Sequence, residues 1–488
     1  MNAENVDLNT RRQSLISVGA NILIISQVLA VAVILESAFG IAGVGIYYLT
    51  KTISYLIAQP ASGVGSVIRK RGSETGEDPS KYFGGGLLAT GVYLLLVFVV
   101  VIVFADSVFE FFGLPVWVLG PFLFLTFNSS VEAQLMGYYS ATGHPGSSHW
   151  YWAIRDVLFF IGLLFLMSVG AAVETVLYYF AGVTLLVLLL GGVYIRAVPQ
   201  LPTKRILIRC FTYAKWAIPA QFVGILIERM PVLLLGIIAG PSAVGLYEVA
   251  NKLTTFGAYI GTCMRSPLHI RVSGRTSVGI SVKEEFRQLV AYSPVLAFPL
   301  VFIFAAVPHE ILTVTYGPEL AAAAVTLILV GIGRFLYTIR AGIGSGLKGS
   351  NMPRPVFLSL LFVGALSIPV GAYLITEWES EGGALLLVFM ELSLTLLYLI
   401  PTIREFSWEY IPFKRLRTQT LGGILTAGIL WGLNEYVLPL ATVGSLIGYI
   451  SVGLVVYYAL ITALNEDIRQ SASRSLAETE DLLRDVIP

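Results

Sequence analysis

The sequence predicts an all-α polytopic membrane protein of about fourteen transmembrane helices, arranged as two parallel six-helix lobes plus two C-terminal helices. Three observations predict it. Of the 488 residues, 56% are hydrophobic and only 12% are charged, about half the charged share of a soluble domain. The apolar runs are long and unbroken, as from Leu94 to Ala105, where a membrane barrel shows short alternating segments. The loops between the runs alternate between basic and acidic.

Water cannot solvate a surface of mean hydropathy +0.80, so lipid covers much of it. Backbone groups in lipid must pair within their own segment, which selects helices. With about 20 apolar residues per crossing, the expected spans are 15–36, 42–67, 83–105, 115–137, 150–169, 173–195, 213–239, 243–266, 290–308, 320–346, 355–376, 381–403, 418–435 and 439–463. One set of loops and tails then holds Arg11, Arg12, Arg69, Lys70, Arg71, Lys204, Arg205, Arg209, Arg271, Arg354, Arg404, Arg474 and Arg484. The other holds Asp106, Glu110, Glu174, Glu310, Glu319, Glu377 and Glu379, with no Lys or Arg. The positive-inside rule therefore puts both termini in the cytoplasm of a multi-pass cell-membrane protein. Tyr47, Trp117 and Trp150 fall near expected interfaces and read as anchors there. Cys210 lies at a membrane edge and Cys263 within a span, a placement that predicts no disulfide.

Val44-Gly45-Ile46-Tyr47 returns two hundred positions later as Val244-Gly245-Leu246-Tyr247, each after a glycine, Gly40 or Gly240, and a short outer turn. Both copies begin on the same side, so the repeat is parallel. It sets an N-terminal lobe over 1–210, a second lobe over 211–403, and two extra helices with a cytoplasmic tail over 404–488.

Charges inside the spans are the candidate functional residues. A Lys or Arg at the bilayer centre costs roughly 2.5–3.5 kcal/mol. Lys51 lies roughly 13 Å inside its span at 1.5 Å per residue. Lys252 stands at a similar depth in the second copy, Arg229 is near the midplane, and Arg334 and Arg340 share another span. Such groups need a wet cavity or an anion. Arg forks to two phosphate oxygens and Lys acts as a point charge, so the set suits a phosphate or diphosphate. Acids are present too: Glu132, Asp156, Glu228, Glu248 and Glu391. Glu248 and Lys252, at i and i+4, share a helix face, and a structural ion pair is the alternative to a binding role there. Arg155 and Asp156 read as a pair snorkelling at a helix end. The glycines at 342, 344, 346 and 349 follow no strand and precede no Gly-Lys-Ser/Thr, which excludes a nucleotide loop. The four histidines have no metal spacing. No catalytic motif, metal site, cofactor or nucleic-acid surface is expected.

The chain resembles the Wzx-type polysaccharide (oligosaccharide) flippases of the MOP superfamily, which also holds lipid II flippases and MATE exporters. The resemblance rests on Gly43-Val44-Gly45-Ile46-Tyr47 with Arg69 to Glu74, and on Ala243 to Thr254. Tyr316-Gly317 with Ala321 to Ala324, Leu347-Lys348-Gly349 with Pro353, and Glu381-Gly382-Gly383-Ala384 extend it. It implies a transporter, not an enzyme, that flips a lipid-linked oligosaccharide from the cytoplasmic to the outer leaflet by alternating access. It implies that Lys51, Arg229 and Lys252 hold the substrate phosphate. A Na⁺ or H⁺ gradient or the membrane potential would drive transport, with Glu228, Glu248 or Glu391 as candidate coupling acids. The partners implied are the lipid-linked oligosaccharide, membrane lipids and glycan-assembly enzymes around a monomer. The rivals are a MATE-like cation-coupled exporter of small molecules, which shares the fold, and a membrane glycan polymerase, which needs larger outer loops than these.

Overall fold

The computed structural model describes residues 3–74, 77–277, 280–294, 297–466 and 468–470. Among the described residues there is no β-strand. The helices are α1 (Ala3–Ile57), α2 (Gln59–Gly72), α3 (Pro79–Val103), α4 (Ala105–Phe111), α5 (Leu119–Ala141), α6 (Pro145–Ser168), α7 (Val173–Tyr194) and α8 (Lys204–Ile238). They continue as α9 (Gly240–Ser277), α10 (Lys283–Tyr292), α11 (Ala297–Ala306), α12 (Pro308–Tyr316), α13 (Ala324–Gly349), α14 (Pro353–Phe406), α15 (Phe413–Tyr436) and α16 (Val443–Leu464). The expected tail with Arg474 and Arg484, and the side chains of Arg11, Arg12, Cys263 and Arg271, lie outside the described residues.

The chain is a multi-pass helical membrane protein. Among the described residues nine helices are long and apolar enough to cross a bilayer, or up to ten with one bent pair. That count does not establish fourteen. Part of the difference is physical. The 54 residues of α14 would run about 80 Å at 1.5 Å per residue, well over twice a hydrocarbon core of about 30 Å. α14 breaks at Trp378 and Glu379, where φ reaches −132° and 41°, at the turn expected between 355–376 and 381–403. α1 breaks likewise at Gly40, with φ of 64°, between 15–36 and 42–67. Each has room for two crossings. The 92° bend between α11 and α12 falls at the C-terminal end of the expected span 290–308. Pro308 opens α12 and has no N–H with which to continue α11.

Two compact units are present, one of residues 1–252 with 364–383, the other of 253–363 with 384–488. The lobes expected from the repeat cut the chain differently. In the first unit α2 packs on α5 and α8 and α1 packs on α6. Gln134 Nε2 of α5 donates to Ala61 O of α2 at 2.7 Å. Asn128 Nδ2 donates to Ala181 O of α7 at 2.7 Å, so two buried amides tie three helices together where no water competes. Tyr82, Tyr138, Tyr139 and Tyr151 cluster with Leu135 and Val187 beneath. α3 starts where it does because Asp78 caps Ser80 N at 3.0 Å and Pro79 takes the first helical position.

In the second unit Phe298 of α11 lies 4.2 Å, ring to ring, from Phe335 of α13 and packs with Tyr457 and Ile461 of α16. A capping box of Thr442 and Ser445 starts α16.

Candidate functional site

Lys51 sits on α1 one turn beyond Tyr47, on the same face. Its Nζ donates to Tyr47 Oη at 3.2 Å. The ammonium lies 3.7 Å from the centroid of Phe180 and 4.9 Å from that of Tyr47. Every one of these partners is neutral. Among the described residues Lys51 has no ion pair; the two rings contribute about 0.5–2 kcal/mol each, and the nearest charges are those that share its cavity. The side chain lines a cavity of about 220 Å³ in the first unit, together with Tyr48, Lys252, Arg155 and Asp156. The position expected from depth alone is therefore a cavity wall and not a lipid face.

Lys252 lines the same cavity. Its Nζ is 2.8 Å from Glu248 Oε2 and 4.3 Å from the Tyr48 ring centroid. Glu248, 1% exposed, also accepts from Asn251 Nδ2 at 3.3 Å. The i,i+4 spacing thus yields the ion pair it allows, at the cavity edge. Arg229 is half-buried, its Cζ 6.0 Å from the Tyr55 ring, one turn along α1 from Lys51. Neither Arg229 nor the exposed Glu228 has an ion-pair partner among the described residues.

Two expectations are corrected here. Tyr47 is no interfacial anchor, because it is 1% exposed and stacks between helices against Phe159 at 6.3 Å. Arg155 and Asp156 are not at a helix end, since α6 begins at Pro145, about 15 Å earlier at 1.5 Å per residue. They line the Lys51 cavity. Arg155 Nε and Nη2 both reach Asp156 Oδ1 at 2.9 Å, and Nη1 lies 3.5 Å from Glu132 Oε2. Glu132 also accepts from the Trp152 indole. The sequence signal that locates them is Pro145, which sets the helix start well before Trp150.

The other candidates lie in the second unit. Arg340 forks onto Glu391, Nη2 to Oε1 at 3.2 Å and Nε to Oε2 at 2.5 Å, with both side chains largely buried. The two charges cancel. Arg340 and Arg334 both approach the Tyr337 ring, at 5.0 and 5.8 Å. Another concavity, about 540 Å³, runs along α3 from Gly84 to Leu95 beside Pro199, Gln200 and Leu201. It carries no charge, so it has no means of holding an anion.

A second charged group lies outside the spans, where the loop before α3 meets the start of α8. Arg209 Nη2 is 2.7 Å from Glu74 Oε2, and Arg209 also pairs with Glu77. Arg205 reaches Glu77 Oε1 at 3.0 Å, and Arg71 reaches Glu74 Oε1 at 2.9 Å. Tyr82 Oη donates to Glu77 Oε2 at 3.0 Å. That hydrogen bond first, and the Arg209 and Arg205 charges after it, hold the Glu77 carboxyl below its usual range.

A bundle of broken helices with charged side chains of both signs around a cavity has the makeup of a secondary transporter. Comparison with known proteins agrees. Residues 158–324 match the family model described as "Polysaccharide biosynthesis protein". The chain is 23% identical over 446 residues to the "Probable low-salt glycan biosynthesis flippase Agl15" of Haloferax volcanii, covering 90% of this chain and 92% of that one. It is 21% identical over 479 residues to the "Probable flippase AglR" of the same organism, covering 96% and 98%. Among solved structures it matches the lipid II flippase MurJ with a TM-score of 0.78 at 13% identity, over 93% of this chain and 99% of that one. An inward-facing MATE family transporter of the MOP superfamily matches with a TM-score of 0.60 at 10% identity, over 85% and 98%. The fold is the one these transporters share, as the resemblance in sequence implied.

Proposed function

We propose that this chain is a flippase that moves a lipid-linked oligosaccharide from the cytoplasmic to the outer leaflet of the cell membrane. The observation that carries the reading is the Lys51 ammonium, which lines a cavity, has neutral direct contacts and makes no ion pair among the described residues. An anion is the ligand that such a group lacks. At about 220 Å³ the cavity is smaller than the roughly 300–1,000 Å³ of sites for drug-sized ligands. It suits a phosphate or diphosphate, with the glycan outside it and the lipid tail in the bilayer. Lys252 and Arg229 are the further ligands in this reading. Arg340 is engaged by Glu391, and Arg334 belongs to the same second unit.

The reading includes two parallel lobes, 1–210 and 211–403, rocking about the bound headgroup, with 404–488 added and both termini cytoplasmic. It includes a monomer fed by glycan-assembly enzymes and driven by Na⁺ or H⁺. Of the three coupling acids, Glu248 and Glu391 are engaged by Lys252 and Arg340, which favours Glu228. The flippase names of the relatives support transport over catalysis. The MATE-like alternative asks for a cavity carboxylate open to a cationic drug, and Asp156 is already taken by Arg155. A deletion strain tests the proposal. The lipid-linked glycan should accumulate on the inner leaflet, and normal glycan export together with an altered drug tolerance would favour the exporter instead.

A further inference from the structure

Arg155 and Lys51 flank one aromatic ring. Lys51 Nζ is 3.7 Å from the Phe180 centroid and Arg155 Cζ is 5.4 Å from it. Both side chains line the same cavity, so the two charges are no further apart than those two distances laid end to end. Their local balances differ. Lys51 has no carboxylate, whereas Arg155 has two, Asp156 and Glu132. Taken with Lys51 these four groups sum to zero, and Lys252 and Glu248 cancel beside them. An anion entering this wall meets a neutral set, and it binds by exchanging with a carboxylate for one of the cations.

Arg155 is built for that exchange. A guanidinium has five N–H donors. One of them, Nε–H, donates to Asp156 Oδ1, while Nη2 and Nη1 make ion-pair contacts, at 2.9 Å to the same oxygen and at a long 3.5 Å to Glu132 Oε2. Nη1 and Nη2 each keep a second N–H. Arg155 can therefore turn part of its fork toward a phosphate while Glu132 still holds the rest of it.

We infer that Arg155 is a second ligand for the phosphate of the transported lipid, and that Asp156 is a positioning residue that competes with that phosphate for the guanidinium. The inference rests on the flippase reading and adds to it an exchange at a named ion pair. It gives Asp156 an effect opposite to that of a structural carboxylate. Removing its charge should strengthen anion binding.

The test uses the full chain purified in detergent and farnesyl diphosphate as the probe, with farnesol as the uncharged control. Affinity is read by titration calorimetry and folding by thermal unfolding. Asp156→Asn, which keeps a hydrogen-bonding side chain, should bind the diphosphate several-fold more tightly. Arg155→Lys, which keeps the charge and loses the fork, should bind about tenfold more weakly, and Lys51→Ala should lose binding. Weaker or unchanged binding by folded Asp156→Asn overturns the inference. If Lys51→Ala loses binding while both other variants match the unaltered protein, the inference fails and the flippase reading stands. If the unaltered protein shows no saturable, diphosphate-dependent binding, both fall.

Discussion

Gly45 and Gly245 each lie against the turn that precedes the other. A Cβ on Gly45 would come within 1.8 Å of Pro241 O, and one on Gly245 within 2.1 Å of Ile41 O. Ile41 and Pro241 are themselves two hundred positions apart, so the contact is reciprocal about the sequence repeat. It brings the start of α9 onto the second half of α1, the segment that carries Lys51. Both obstacles are backbone, which cannot swing aside. Gly45→Val should therefore cost about 1–3 kcal/mol by overpacking, read as a lowered Tm in detergent, and Gly245→Val should do the same. Gly182→Ala, where nothing lies within 4 Å, should leave Tm unchanged or raise it. Equal stability of all three variants would remove the reciprocal contact from the account.

The ion-pair group around Glu77 should be sensitive to acid. Glu77 has a lowered pKa when folded. Its contribution is therefore present above the ordinary carboxylate range and is lost as the pH falls through its folded value. Unfolding temperatures followed from neutral pH down to about pH 3, below the ordinary carboxylate range, should fall further for the unaltered protein than for Glu77→Gln, which starts lower. Parallel curves would contradict the pairing.

Cys210, next to Arg209, gives a second readout of the same group. Its thiol is partly buried, and burial pushes its pKa up to about 11, so little thiolate exists near neutral pH. In a Cys263→Ser background, Glu77→Gln or Arg209→Ala should loosen this corner and speed maleimide labelling of Cys210 several-fold. An unchanged rate would mean that the ion pairs do not hold the loop to α8.

Arg340 and Glu391 should behave as a structural pair. Glu391→Gln leaves a largely buried guanidinium uncompensated and should cost of order 3 kcal/mol. Arg340→Met combined with Glu391→Leu should recover most of that, because both charges are gone. Were the double variant stable yet unable to transport, the pair would act in transport itself, through Arg340 as a ligand or Glu391 as a coupling acid.

The sequence made the helix breaks readable because their causes are local. Gly40 takes a positive φ that other residues avoid, and Glu377, Glu379 and Glu381 mark a wet turn that α14 crosses with its break. That Lys51 stands within a helix was readable for the same reason. Partners were not. Glu391 is 51 residues from Arg340, and Glu132 is 23 from Arg155, so no helical spacing links them. Arg155 and Asp156 were misplaced because adjacent opposite charges look alike at a helix end and on a cavity wall.

The most direct measurement is translocation of a fluorescent lipid-linked oligosaccharide in proteoliposomes, scored by its accessibility to an external glycosidase. The unaltered protein should expose the substrate many times faster than empty vesicles. Lys51→Ala with Arg229→Ala should fall to the empty-vesicle rate while remaining folded and inserted. Full-speed transfer by that folded double variant would contradict an anion seat built on these two cations.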